Sequence, residues 1–151
     1  MRKPFVVISG LPGSGKTTLG RRLAHALNLP LIDKDDILDR LFESKGVGNA
    51  AWRRTLSRES DVILQHEAAR SDGAVHCVCE PEVAAGRFLQ RRRHPGHLDE
   101  ESSAEVLVSL RQLAQLAPLE IGQRIDVDTS REPSLTDLVG AIRRALDALT
   151  L

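Results

Sequence analysis

The sequence predicts a single α/β domain built on a mainly parallel sheet. Three observations point there. Short apolar runs alternate with helical stretches along the chain. The first run leads through a glycine-rich turn directly into a helix, an order that aims a helix N-terminus at an anion. A length of 151 residues supports one domain with a real core and is short for two.

Four strands are expected, at 5–9, 30–33, 74–79 and 124–128. Phe5-Val6-Val7-Ile8 is apolar and β-branched, as in a buried parallel strand. Thr17 to Leu27 carries apolar residues at 19, 23, 24, 26 and 27, roughly a helical stripe. Leu29-Pro30-Leu31-Ile32 reads as a second strand ending at Asp33-Lys34-Asp35-Asp36. There Asp35 or Asp36 is expected to cap a helix from Ile37 to about Glu43. Beyond the loop Gly46-Val47-Gly48-Asn49, a long helix spans about 50–70 and ends at Ser71-Asp72-Gly73. The strand Ala74–Cys79 follows, and Glu80-Pro81-Glu82 opens a helix through about Arg92, with Pro81 suited to its first turn. His94-Pro95-Gly96-His97 is a turn. A helix over 102–116, the strand 124–128 and a Ser134-capped helix to about Leu149 complete the chain. With no repeat, low-complexity tract or linker, residues 1–151 form one domain.

The stretch Gly10-Leu11-Pro12-Gly13-Ser14-Gly15-Lys16-Thr17 fits the phosphate-binding pattern G-x-x-x-x-G-K-[ST]. Its glycines let the backbone take turns closed to other residues and bring N–H groups against phosphate oxygens. Lys16 can reach the β- and γ-phosphates, and the Thr17 hydroxyl can ligate Mg²⁺. Residues Gly10 to Thr18 are therefore the expected nucleotide-binding set. Asp33 and Asp35 form a D-x-D pair at the C-terminal end of the second expected strand, the edge where ligands of open α/β sheets lie. Arg91-Arg92-Arg93 ends a helix before the histidine turn, where a cationic run also suits the helix dipole.

Composition narrows the partners. Lys+Arg and Asp+Glu both number 21, so no global charge favours nucleic acid or an anionic membrane. Aromatic residues make up 3% and Tyr is absent, a poor supply for stacking bases. Met1-Arg2-Lys3-Pro4 runs straight into a short strand with no apolar leader, and no run is long enough to span a bilayer. The expectation is a cytoplasmic protein for which nucleic acid is an unfavoured partner. Cys77 and Cys79 alternate in a strand and are expected on one face as buried thiols. His94 and His97 are read as turn residues, while His66 and His76 show no partner in sequence.

Taken together, the loop, the Asp-rich strand end and the arginine-rich turn resemble the small P-loop kinases. The stretch Val7 to Leu19 most resembles the opening of the short AAA-type ATPases related to shikimate, gluconate and chloramphenicol kinases and to zeta toxins. The resemblance implies a P-loop NTPase fold of three α/β/α layers, with ATP and Mg²⁺ as cofactors. It implies Asp35 as substrate-binding group and general base, and Asp33 as a water-mediated Mg²⁺ contact. Lys16 would act on the transferred phosphoryl with a lid arginine, Arg91 being the candidate and Arg87 a further one. Arg131, in the loop after the last strand, would line the adenine pocket. The family's sheet has five strands; here the third and its connecting helix are missing from the sequence. That loss would leave a gap beside the first strand, which packing must close or which costs stability. Three readings follow: transfer of the γ-phosphoryl of MgATP to a small-molecule hydroxyl; a shortened, regulatory nucleotide-binding or slowly hydrolysing form without kinase activity; or phosphorylation of a polynucleotide 5′-hydroxyl, which the neutral charge and scarce aromatics weigh against.

Overall fold

A computed structural model describes residues 6–68, 73–99, 103–117 and 123–148, with backbone alone at 67–68, 73–76 and 103. Three strands, β1 (Val6–Gly10), β2 (Gly73–Val78) and β3 (Gln123–Asp128), pair in parallel in the order β1-β2-β3. Val6 lies opposite Gly73, and Gly73 opposite Gln123. The crossover from β1 to β2 contains α1 (Lys16–Leu27), α2 (Lys34–Lys45) and α3 (Ala50–Ala68). The crossover from β2 to β3 contains α4 (Pro81–Gln90) and α5 (Val106–Leu113), and α6 (Leu135–Ala148) closes the described chain. The α/β architecture with a parallel sheet is as expected. Phe5, Arg70 with Ser71-Asp72, Ser102 and Leu149 lie outside the described residues.

The strand expected at 30–33 does not form; the described sheet has three strands. The segment is extended, with Asp33 at φ −112 and ψ 131. Leu31 reaches α1 at Gly20, where Ile8 also packs, yet it stays 40% exposed. An apolar run becomes a strand only where a ladder partner offers hydrogen bonds, and Pro30 has no N–H to give. Only the four residues 69–72 separate α3 from β2, too few for the extra strand and helix of the longer family pattern. All five residues of β1 are accordingly half-buried, where a central parallel strand would be buried.

Three apolar clusters organise the rest. Leu19 and Leu23 of α1, Cys77, Val127, and Leu138 and Ile142 of α6 form the main core on one sheet face. In β3, Ile125 and Val127 join this cluster while Arg124, Asp126 and Asp128 are exposed, the period-2 pattern of a half-solvated strand. A second cluster joins α4 and α5 through Ala84, Ala85, Phe88, Val106 and Leu110. The third lies between α2 and α3: Ile37, Leu38, Leu41, Phe42 and Leu56. Cys79 belongs to the second cluster and Cys77 to the first. Both thiols are free and buried as expected, with Cys79 one residue past the end of β2 at Val78. Burial pushes Cys77 up to about 11, against the pull of Lys16.

Candidate active site

The loop between β1 and α1 is shaped by its glycines. Gly13 has φ 82, and a side chain there would run into the Ala84 carbonyl of α4. Gly15, at φ 90, is the N-cap of α1 and offers no side-chain cap. The first-turn amides of α1 are thus left for an external acceptor, at the positive end of the helix dipole. Ser14 is fully buried, its amide donating to Leu11 O at 3.0 Å. Its Oγ has no hydrogen-bond partner among the described residues.

Lys16 folds back over this loop, donating to Gly10 O at 3.0 Å and Leu11 O at 2.7 Å. Burial draws its pKa below the ordinary lysine value; Cys77, Asp35 and Asp33 oppose that shift and Arg91 adds to it. The ammonium therefore shares one electrostatic neighbourhood with both D-x-D acids and Arg91. Thr17 Oγ1 donates to Asp33 Oδ2 at 2.7 Å. Asp33 is also the N-cap of α2, its Oδ1 accepting from Asp35 N at 2.9 Å. The cap is thus neither Asp35 nor Asp36; α2 starts three residues earlier than expected, which places both of those acids in its first turn, favourable to the dipole.

Asp35 faces the segment after α4. Its Oδ2 accepts from Arg93 Nη1 at 2.7 Å. Arg93 also donates from Nε and Nη2 to the two oxygens of Asp99, at 2.9 and 2.6 Å. Arg91 lies 3.8 Å over the Phe88 ring and reaches Asp99 Oδ1 at 3.4 Å through Nη2. The helix expected through Arg92 ends at Gln90, with Arg91 extended at φ −73 and ψ 150. In extended chain, residues two apart share a side. That is why Arg91 and Arg93 both turn inward to Asp99 while Arg92 is exposed. Burial lowers the Arg93 guanidinium, but its two carboxylates outweigh that and raise its pKa overall. Burial likewise raises Asp99, and the arginines reverse it, holding the carboxyl below the usual range.

The turn at 94–97 is a 3₁₀ segment, Pro95–His97, packed on α2. His94 stacks on Phe42 at 5.3 Å and His97 meets the same ring edge-on at 5.4 Å. The His97 side chain is 1% exposed, and its Nε2 lies 2.7 Å from Asp39 Oδ1. Asp35 and Asp39, one helical turn apart, thus present two acids to this segment. Nδ1 of His97 is buried without a partner among the described residues. The hydrogen-bonding pattern assigns a neutral ring with its proton on Nε2. Burial first, then Arg93, lowers its pKa against the pull of Asp39.

Two candidates behave differently. Arg87 is not in the Asp99 network; it donates to Thr129 O at 2.7 Å and Ser130 O at 3.2 Å, bracing the loop after β3. Arg131, on that loop, pairs with Asp128 at 3.2 Å and is 84% exposed. A cavity of about 380 Å³ opens beside the glycine loop, lined by Ser9 to Pro12, Cys77 to Cys79, Leu113 of α5 and the residues just after it. The structure therefore gathers Lys16, Thr17, Asp33, Asp35 and Arg91 and does not bring Arg131 to them. Sequence reasoning missed Arg93's contact with Asp35, and it missed Asp39 and Asp99 altogether. Residues 58 apart carry no local signal for Asp35–Arg93 or Asp39–His97.

Known proteins place this geometry in context. A shikimate kinase of Corynebacterium glutamicum is 42% identical over 76 residues, covering 50% of this chain and 45% of its own. A cytidylate kinase of Pyrobaculum islandicum is 32% identical over 82 residues, covering 53% and 45%. The chain thus spans about half the length of the curated relatives it matches. A crystal structure from Chloroflexus aurantiacus superposes with a TM-score of 0.79 at 24% identity, covering 96% of this chain and 99% of that one, a likeness of fold. Among the described residues no helix is long and apolar enough to cross a membrane. The family model described as the cytidylate kinase-like family matches residues 5–113. The chain belongs to the cytidylate kinase-like family.

Proposed function

We propose that this protein binds MgATP in the glycine loop and transfers its γ-phosphoryl group to a small-molecule acceptor. The observation that carries the reading is the Thr17–Asp33 hydrogen bond of 2.7 Å beside the uncapped N-terminus of α1, with Asp35 two residues on. The donor set fits the group: a hydroxyl and a carboxylate are the hard oxygen ligands that Mg²⁺ takes, directly or through water. Thr17 and Asp33 would hold the ion, and when bound it neutralises phosphate charge. Lys16 and the α1 amides hold the β- and γ-phosphates and bear the charge that builds up there.

Asp35 is the acceptor's proton-accepting group. The acceptor oxygen forms its bond to phosphorus, the bond to the β–γ bridging oxygen breaks to release ADP, and the hydroxyl proton passes to the Asp35 carboxylate. Arg93 and Arg91 face the same acids and compensate the negative charge of the transferred group. Arg87 keeps the loop after β3 in place beside the nucleotide, and Arg131 on that loop would line the adenine pocket.

The relatives suggest two acceptors to try first: shikimate, which offers a hydroxyl whose proton Asp35 would take, and cytidine 5′-monophosphate, whose phosphate oxygen would take the group with no proton to remove, beside sugars, sugar acids and chloramphenicol-like alcohols. Purified protein with MgATP and each acceptor is expected to yield ADP and a phosphorylated product, detected by mass. Asp35→Ala is expected to abolish product while MgATP affinity stays near wild type. Transfer at full rate in Asp35→Ala overturns the base assignment. MgATP-dependent thermal stabilisation with no product from any acceptor overturns the kinase reading and leaves a nucleotide-binding module.

A further inference from the structure

Asp99 belongs to none of the sequence motifs, yet both inward-facing arginines converge on it. Arg93 grips it at two points, Nε to Oδ2 at 2.9 Å and Nη2 to Oδ1 at 2.6 Å. Arg91 reaches the same carboxylate at 3.4 Å through Nη2, with its guanidinium carbon 3.8 Å over Phe88. Arg93 has one remaining nitrogen, Nη1, and that one holds Asp35 at 2.7 Å. The side chains of Arg93 and Asp99 are 17% and 20% exposed, so the fork is shielded on most sides. Asp35 is more open, at 42%.

We propose that Asp99 is the positioning residue for the phosphoryl-facing arginines. The proposal rests on the reading of Asp35, Arg91 and Arg93 as active-site groups. The asymmetry of the contacts is the argument. A two-point guanidinium–carboxylate pair fixes both distance and plane, whereas a single hydrogen bond fixes neither. Arg93 is therefore anchored at Asp99 and only touches Asp35. An arriving acceptor can displace the single bond without losing the arginine. With Asp99 neutral, the Arg93 fork is free to close on Asp35 instead, occupying the carboxylate that the acceptor needs. Arg91 loses its hydrogen-bonded acid partner at the same time and keeps the Phe88 ring and the longer-range pull of Asp35. One carboxylate thus orients two cations and keeps a third group available.

The test uses Asp99→Asn, with ADP formation measured at saturating MgATP on shikimate and on cytidine 5′-monophosphate. Turnover is expected to fall about tenfold or more from misplaced groups, with MgATP affinity unchanged by calorimetry. Asp99→Glu, which keeps the charge, is expected to recover part of the rate. In an Arg93→Met background Asp99→Asn should cost clearly less than in wild type, the remainder being its hold on Arg91. A readout independent of transfer is the arginine Nε–H spectrum. A slowly exchanging Arg93 signal is expected in wild type and in the exposed control Glu82→Gln, and its loss in Asp99→Asn.

Wild-type turnover in folded Asp99→Asn, a full additive loss in the double variant, or an unchanged Arg93 signal would each overturn the proposal. Should Asp99→Asn not fold, Asp99→Glu decides through the same readouts: lowered turnover with intact MgATP affinity supports it, and wild-type values in both overturn it. If wild-type protein phosphorylates nothing, the active-site reading falls, while the Nε–H spectrum still decides whether Asp99 holds Arg93.

Discussion

Asp33 serves two elements with its two oxygens. Oδ1 caps α2 and Oδ2 receives the Thr17 hydroxyl, so the helix that presents Asp35 is registered against the phosphate loop by one side chain. The D-x-D spacing was legible in sequence; which of its acids capped the helix was not, because Asp is equally at home at the cap and in the first turn. His97 shows a different limit. A histidine beside Pro-Gly reads as a turn residue, and only the fold seats it, almost fully buried, on Asp39 and Phe42. Its burial has a pH signature. Because its pKa is lowered on folding, the unfolded chain takes up a proton that the native ring refuses. Stability is therefore complete above the unfolded value of about 6.5 and falls as pH drops through it, by at most ~1.4 kcal/mol per pH unit. Thermal melts at pH 7.5 and 5.5 should show a larger drop for wild type than for His97→Gln. Equal drops would mean that His97 titrates as freely in the native protein as in the unfolded one.

At the scale of elements, periodicity and caps predicted well wherever a segment carries its own signal. Pro81 opens α4, and Ser134 caps α6 through Asp137 N at 3.4 Å. Prediction failed where structure depends on a distant partner. Leu29 to Ile32 is extended without a ladder, and Arg91 to Arg93 leave the helix because pairing with Asp99 and Asp35 competes with another helical turn. The α2–α3 pair has its own core, in which Leu56 is fully buried and Phe42 is 2% exposed. Leu56→Ala should cost about 2–5 kcal/mol by transfer and cavity terms. A lowered melting temperature and a weakened acceptor KM are expected together, since this pair presents Asp35 and Asp39. A melting temperature within a degree of wild type would show that the pair is held by its ion pairs rather than by its core.

At the scale of the whole molecule, the described residues form a three-stranded sheet that carries the proposed site. The glycine loop, its helix and the D-x-D acids were readable as a candidate site because their spacing follows the pattern a phosphate-binding loop requires. The rest of the site comes from the crossover between β2 and β3, which swings Arg91, Arg93, His97 and Asp99 onto α2. Its residues lie far along the chain from the acids they meet, and no period or spacing announces them. Among the described residues no strand covers the free edge of β1, which is half-buried along its length, yet α1 remains packed through Leu19 and Leu23 against α6.

Calorimetric titration of MgATP into the folded protein, compared with Lys16→Ala, bears most directly on this account. Saturable binding of one nucleotide per chain is expected, weakened about tenfold or more in Lys16→Ala by loss of one charged hydrogen-bonding group. No saturable heat in the wild type, or equal affinity in the two proteins, would contradict it.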